Sequence, residues 1–97
     1  MSKLKVISDK EESAEIVRNA VSAEIRRMEI ALNKTEKEIQ KFEKKYNIPS
    51  KRFLKEYSAE DLKGGDQEYI RWAGELKIKE RITGDMKRLK SIEYVSN

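Results

Sequence analysis

Four carboxylates, Glu60, Asp61, Asp66 and Glu68, flank the Gly64-Gly65 pair. Acidic side chains around a permissive turn are the raw material of a cation site. A Ca²⁺ loop, however, needs alternating oxygen ligands and a closing bidentate acid over about twelve residues, and this spacing lacks that order. A Gly pair also suits a phosphate cradle. Here the loop is acidic and has no Gly-x-x-x-x-Gly-Lys-Ser/Thr pattern. The chain contains no His and no Cys. That removes the usual general base at neutral pH, the commonest transition-metal ligand and a thiol nucleophile. Lys, Tyr and carboxylates remain, and nothing groups them into a nucleophile–base pair. The expectation is a protein that is not an enzyme and takes no metal and no cofactor.

A second set of residues invites a nucleic-acid reading. Lys77, Arg81, Lys87 and Arg88, with Lys79 and Lys90 nearby, face only Glu80 and Asp85. Such a stretch would contact phosphates with steep salt dependence. No aromatic residues interleave on that face, and no nucleic-acid motif accompanies it. Overall the chain carries 22 Lys+Arg against 18 Asp+Glu, a net +4, and 41% of its residues are charged. Mixed charge at this density reads as solvated helix faces. Nucleic-acid binding is therefore the lesser alternative. The N-terminus has no long apolar stretch of the secretory kind, and no run approaches the ~20 apolar residues of a membrane span. A cytoplasmic protein without membrane contact is expected.

These residues must be positioned by helices. With 97 residues, 37% of them hydrophobic, one helical domain over 1–97 is expected, with residues 1–8 as a flexible arm. Residues 3–7 alternate briefly, but no second strand pattern is evident for them to pair with. Ser8 and Glu11 fit a capping box that opens a long helix over 9–46, about 55 Å in length. Within it Val21, Ile25, Met28, Leu32, Thr35, Ile39, Phe42 and Tyr46 step by alternate fours and threes. This is a heptad seam with one polar member, and it needs another helix to cover it. Glu29, Glu36 and Glu43 recur beside it. Ile16, Ala20, Ala23 and Ile30 lie off the seam and form a second apolar stripe on the first half of the helix.

Asn47-Ile-Pro-Ser50 breaks the helix, because Pro restrains its predecessor and removes a donor. A short helix over 51–57 carries Phe53, Leu54 and Tyr57. A turn over 58–66 follows, with Asp66 as a good N-cap. The last helix spans 67–94, with Tyr69, Trp72, Ala73, Leu76, Ile82, Met86 and Leu89 as its core stripe. Gly74 and Gly84 interrupt it, each at a cost of about 1 kcal/mol against Ala. A close helix crossing, a partner or simple tolerance would each account for them.

The expected fold is therefore all-α: a helical hairpin of two long antiparallel helices with a short connecting helix, dimerising into a helical bundle. Phe42, Tyr46, Phe53, Tyr57, Tyr69 and Trp72 are the core anchors, though aromatic residues of this kind also serve as interface hot spots. The second long helix is the shorter, so the Ser8 end of the first overhangs. Ile16, Ala20, Val21, Ala23, Ile25, Met28 and Ile30 are accordingly the candidate interface, with a second copy of the chain as the foremost partner.

The segment Phe42-Glu-Lys-Lys-Tyr-Asn-Ile-Pro-Ser-Lys-Arg-Phe-Leu54, followed by Leu62-Lys-Gly-Gly-Asp66 and Glu68-Tyr-Ile-Arg-Trp-Ala73, resembles a group of small helical prokaryotic proteins. These are encoded beside a small toxin-like or nuclease-like protein and are treated as antitoxins of type II toxin–antitoxin pairs. The resemblance covers residues 42 to about 82. Asn47 stands where that pattern has Gly, Pro49 opens the short helix, and the region before Ala31 lies outside the pattern. The resemblance implies a module that neutralises or scaffolds a small toxin-like partner. A self-assembling structural or adaptor protein without a dedicated partner is the alternative.

Overall fold

The computed structural model describes residues 3–56 and 65–96. Along the chain run β1 (Lys5–Ser8), α1 (Glu11–Tyr46), α2 (Ser50–Glu56), α3 (Gly65–Lys90) and β2 (Glu93–Ser96). The class is all-α, two long helices joined through a short one, with a two-stranded parallel ribbon added by the chain ends. The chain divides into two compact units: residues 1–31 with 82–97, and residues 32–81.

α1 runs for 36 residues without a Gly or Pro, with Glu11 and Glu12 in its first turn and Lys44 and Lys45 in its last. Those charges complement the helix dipole at both ends. The Ser8–Glu11 capping box is not formed. Ser8 ends β1, and its hydroxyl accepts from the Lys10 amide at 3.2 Å. The first helical bond runs from the Ala14 amide to the Lys10 carbonyl, so the helix starts two residues later than expected.

The other end of α1 closes as the Asn-Ile-Pro sequence demands. Asn47 takes a left-handed conformation, φ 52°, and the Ile48 amide reaches back to the Glu43 carbonyl at 3.2 Å. That is a Schellman closure, and buried Ile48 supplies the apolar contact that accompanies it. Gly adopts such a φ freely, whereas Ala pays for its Cβ. Asn47→Ala is expected to lose about 1 kcal/mol in urea unfolding, and Asn47→Gly to lose none.

Pro49 then starts α2 with its carbonyl, which accepts from the Arg52 and Phe53 amides, both at 3.0 Å. Tyr57 and residues 58–64 of the expected 58–66 turn lie outside the described residues. α3 begins at Gly65, two residues earlier than expected.

The C-terminal end of α3 differs from expectation. The helix stops at Lys90 and not at 94. The Ser91 hydroxyl donates to the Arg88 carbonyl at 2.9 Å, and the Ser91 and Ile92 amides make tight turn bonds three residues back. Glu93-Tyr-Val-Ser96 then pairs in parallel with Lys5-Val-Ile-Ser8, Val6 opposite Tyr94 and Ile7 opposite Val95. Residues 5–8 are thus a strand, not a free arm. Tyr and β-branched residues suit the pleat, and the partner that sequence inspection lacked lies at the opposite end of the chain.

In the 32–81 unit, the end of α1, all of α2 and the start of α3 form a helical hairpin. Glu38 pairs with Arg71 and Lys45 with Glu68, which sets α1 and α3 antiparallel there. Its core is Phe42, Ile48, Phe53 and Trp72, with Tyr46, Tyr69, Ala73 and Leu76 packed around it. Seam residues Thr35 and Ile39 are buried as well. In the other unit only Ala14 and Met86 are buried among the described residues.

Candidate functional site

Trp72 organises the hairpin unit. Phe53 stacks on its indole at 3.9 Å between centroids and 3° between planes, and Phe42 and Tyr46 lie near-parallel to it at 5.6 and 5.9 Å. Trp72 and Phe53 are the largest fully buried side chains. The indole N–H donates to the Ser50 hydroxyl at 2.9 Å, and the Ser50 amide donates to the Glu43 carboxylate at 2.9 Å. Glu43 therefore satisfies an amide that the start of α2 would otherwise leave without a partner. Its place in a seven-residue Glu repeat was visible in the sequence, but the role depends on where Pro49 turns the chain. These rings and polar groups consume one another, so they form a structural centre and not an exposed anchor.

Beside this centre lies a cleft of about 110 Å³ lined by Glu36, Ile39, Gln40, Glu43, Ser50, Leu76 and Lys79. Glu43 and Ser50 are already engaged in the hydrogen bonds above. Among the described residues, no cluster of acidic side chains is placed to hold a metal ion. Of the turn carboxylates, Glu60 and Asp61 lie outside the described residues. Glu68 is drawn instead into the hairpin, where it accepts from Lys45 and from the Tyr46 hydroxyl.

That pairing has a pH signature. The hydrogen bond from Lys45, then that from Tyr46, hold Glu68 below its ordinary 4.5, and Glu68 holds Lys45 above its ordinary 10.5. A lowered carboxyl contributes stability above its unfolded value and loses it as pH falls through the folded one. The raised amine contributes below 10.5 and loses it as pH rises through its folded value. Wild type is therefore expected to lose more stability than Glu68→Gln on acidification from about pH 6 to 3, read by urea midpoints. Equal slopes would show that Glu68 carries none of the acid dependence.

The basic residues of α3 are all on the surface. Lys77, Arg81, Lys87 and Arg88 are exposed, and Arg88 is paired with Asp85 at 3.1 Å. The unit boundary falls between Arg81 and Ile82, so Lys77 and Arg81 belong to the hairpin unit and Lys87 and Arg88 to the other.

The seven interface candidates separate by helix face. Val21, Ile25 and Met28 are half-buried. By helical periodicity they share a side with buried Ala14. Ile16 and Ile30 are each 70% exposed, Ala20 is exposed and Ala23 half-buried. These four lie on the opposite side and leave an apolar stripe facing solvent. Val17 at its margin is 38% exposed. Val17 adjoins Ile16 in sequence and extends the stripe beyond the four residues expected. The ribbon adds a second apolar face that was not foreseen, with Ile7 beside Val95, both exposed. Parallel strands are normally covered on both faces, so this one is unusual in leaving one bare. Its cause is the long-range pairing of β1 with β2.

Among the described residues no helix is long and apolar enough to cross a membrane. No protein-family model matches the chain, no curated protein matches it, and no solved structure matches it.

Proposed function

We propose that this chain is a non-enzymatic, cytoplasmic protein-binding module, antitoxin-like, which neutralises or scaffolds a small partner protein. The observation that carries the reading is the stripe on α1. Two isoleucines, each 70% exposed, lie on one helix face of a unit in which only Ala14 and Met86 are buried among the described residues. Full burial of an Ile side chain is worth about 1.5–3 kcal/mol, so an uncovered pair on a thin core favours a partner. The pattern at residues 42–82 supports the antitoxin character of that module. The same residues build the hairpin core, which leaves the stripe on α1 free to do the binding.

A tagged chain and its Ile16→Asp/Ile30→Asp variant, passed through nuclease-treated lysate of the source cell, test this. One small protein held in stoichiometric amount by wild type, and reduced at least about tenfold by the variant at equal helicity, is the expected result. Each substitution removes apolar burial worth more than the ~1.4 kcal/mol of a tenfold change. Equal retention by both chains would move the binding surface elsewhere. A second reading, self-assembly, is favoured by the order of charges along the same stripe.

A further inference from the structure

We propose that the α1 stripe docks on the same stripe of a second copy, antiparallel, about a two-fold axis at Ala23. The inference rests on the second reading above, self-assembly through this stripe, and adds the register and orientation of the second copy. α1 is one uninterrupted helix over Glu11–Tyr46. A two-fold axis at Ala23 brings each residue before it against the residue equally far after it. Ile16, seven residues before, then meets Ile30, seven after. Both are 70% exposed, and each covers the other. Glu12, eleven before, meets Lys34, eleven after, and both are exposed.

Charge placement decides the orientation. Arg27, ion-paired with Glu24 of its own helix, has a side chain that is 73% exposed and lies on the stripe. In the antiparallel pair it passes over the small Ala20 and beside the Asn19 carboxamide of the second copy. Arg27 thus fills the space that Ala20 leaves, and Ala23 lets the backbones approach at the axis. A parallel pair would set Glu12 against Glu12 and Lys34 against Lys34, each a like-charge contact. Charge placement of this kind selects one register and orientation by disfavouring the others. A self-complementary patch of this form is what a two-fold dimer requires.

The chain has no Cys, so single cysteines report the geometry directly. The full chain is prepared as Ile16→Cys, as Ile30→Cys and as their equimolar mixture, oxidised mildly, and sized by light scattering and non-reducing gels. In the antiparallel pair the two Ile16 positions are about 21 Å apart along the axis, beyond the ~7 Å limit for a disulfide. The expected result is a cross-linked dimer from the mixture, with little from either variant alone. Glu12→Lys and Lys34→Glu, in otherwise unchanged chains, should each weaken dimerisation by roughly two- to fivefold, and the double swap should restore it. Self-cross-linking of Ile16→Cys would overturn the antiparallel arrangement while leaving the stripe as the binding surface. A monomer at all concentrations, with no cross-link in any mixture, would overturn self-docking. If that monomer still captures a small protein through the stripe, the occupant is that protein.

Discussion

Trp72→Ala is expected to destabilise the hairpin unit by about 3–5 kcal/mol, the usual cost of deleting a buried large aromatic side chain. The fully buried indole holds α1, α2 and α3 together, because Phe42 and Tyr46 come from α1 and Phe53 from α2. A loss of that size approaches the whole stability of a small domain, about 5–15 kcal/mol, so circular dichroism should show a broad, early transition. Two controls separate stacking from hydrogen bonding. Trp72→Phe keeps an aromatic ring in the stack but removes the donor to Ser50. Ser50→Ala keeps the ring and leaves a buried N–H unpaired, a cost of about 1–3 kcal/mol. Trp72 is the single tryptophan, so its fluorescence in Ser50→Ala reads unfolding of this unit directly. If Trp72→Ala unfolds at the wild-type urea midpoint, the aromatic cluster does not hold the hairpin together.

The second large effect has the opposite sign. Gly74→Ala with Gly84→Ala is expected to stabilise the chain by about 1.6–2 kcal/mol, since Gly costs roughly 0.8–1.0 kcal/mol against Ala in a helix interior. A Cβ added at Gly74 would meet nothing within 4 Å, and one at Gly84 would meet only the flexible end of Arg88 at 4.0 Å. Among the described residues, no close crossing therefore requires either glycine. The two positions are well separated, so their gains should add. Thermal unfolding of the double variant should shift upward by several degrees, with no change in fluorescence at Trp72. No shift, or a fall, would mean that the glycines relieve strain in α3. If the stabilised variant also loses its partner or its second copy, then the glycines serve an approach made by another chain.

The glycines show why local rules gave the helices but left their uses open. α1 was legible because its apolar side chains recur with the period of a helix and no breaker interrupts it before Pro49. α2 followed from Pro49, and α3 from the recurrence of Tyr69, Trp72, Ala73 and Leu76. The helix ends are less legible, because there tertiary partners compete with local propensity. Ile92-Glu-Tyr94 continues the helical pattern well enough to be read as its last turn. It leaves the helix because Ser91 closes the end and the Glu93 amide finds the Leu4 carbonyl at 2.9 Å. A strand of four residues with its partner at the other terminus has no local signature.

The candidate site divides in the same way. Ile16, Ala20, Ala23 and Ile30 were separable from the seam by periodicity alone, because helix geometry assigns faces without reference to the rest of the molecule. Which of the two faces would remain open depended on what covers the other, and this lies in the packing. Glu43 and Glu68 show the limit most clearly. In sequence they are one member of a Glu repeat and one carboxylate of an acidic turn. In the fold Glu43 satisfies the Ser50 amide, and Glu68 ties Lys45 and Tyr46 across the hairpin. The helical class, the breaks and the apolar faces are readable from residue order, since these follow from backbone stereochemistry and short-range spacing. The terminal ribbon, the stacking on Trp72 and the partners of the buried and half-buried polar groups are not, because each depends on residues that become neighbours when the chain folds.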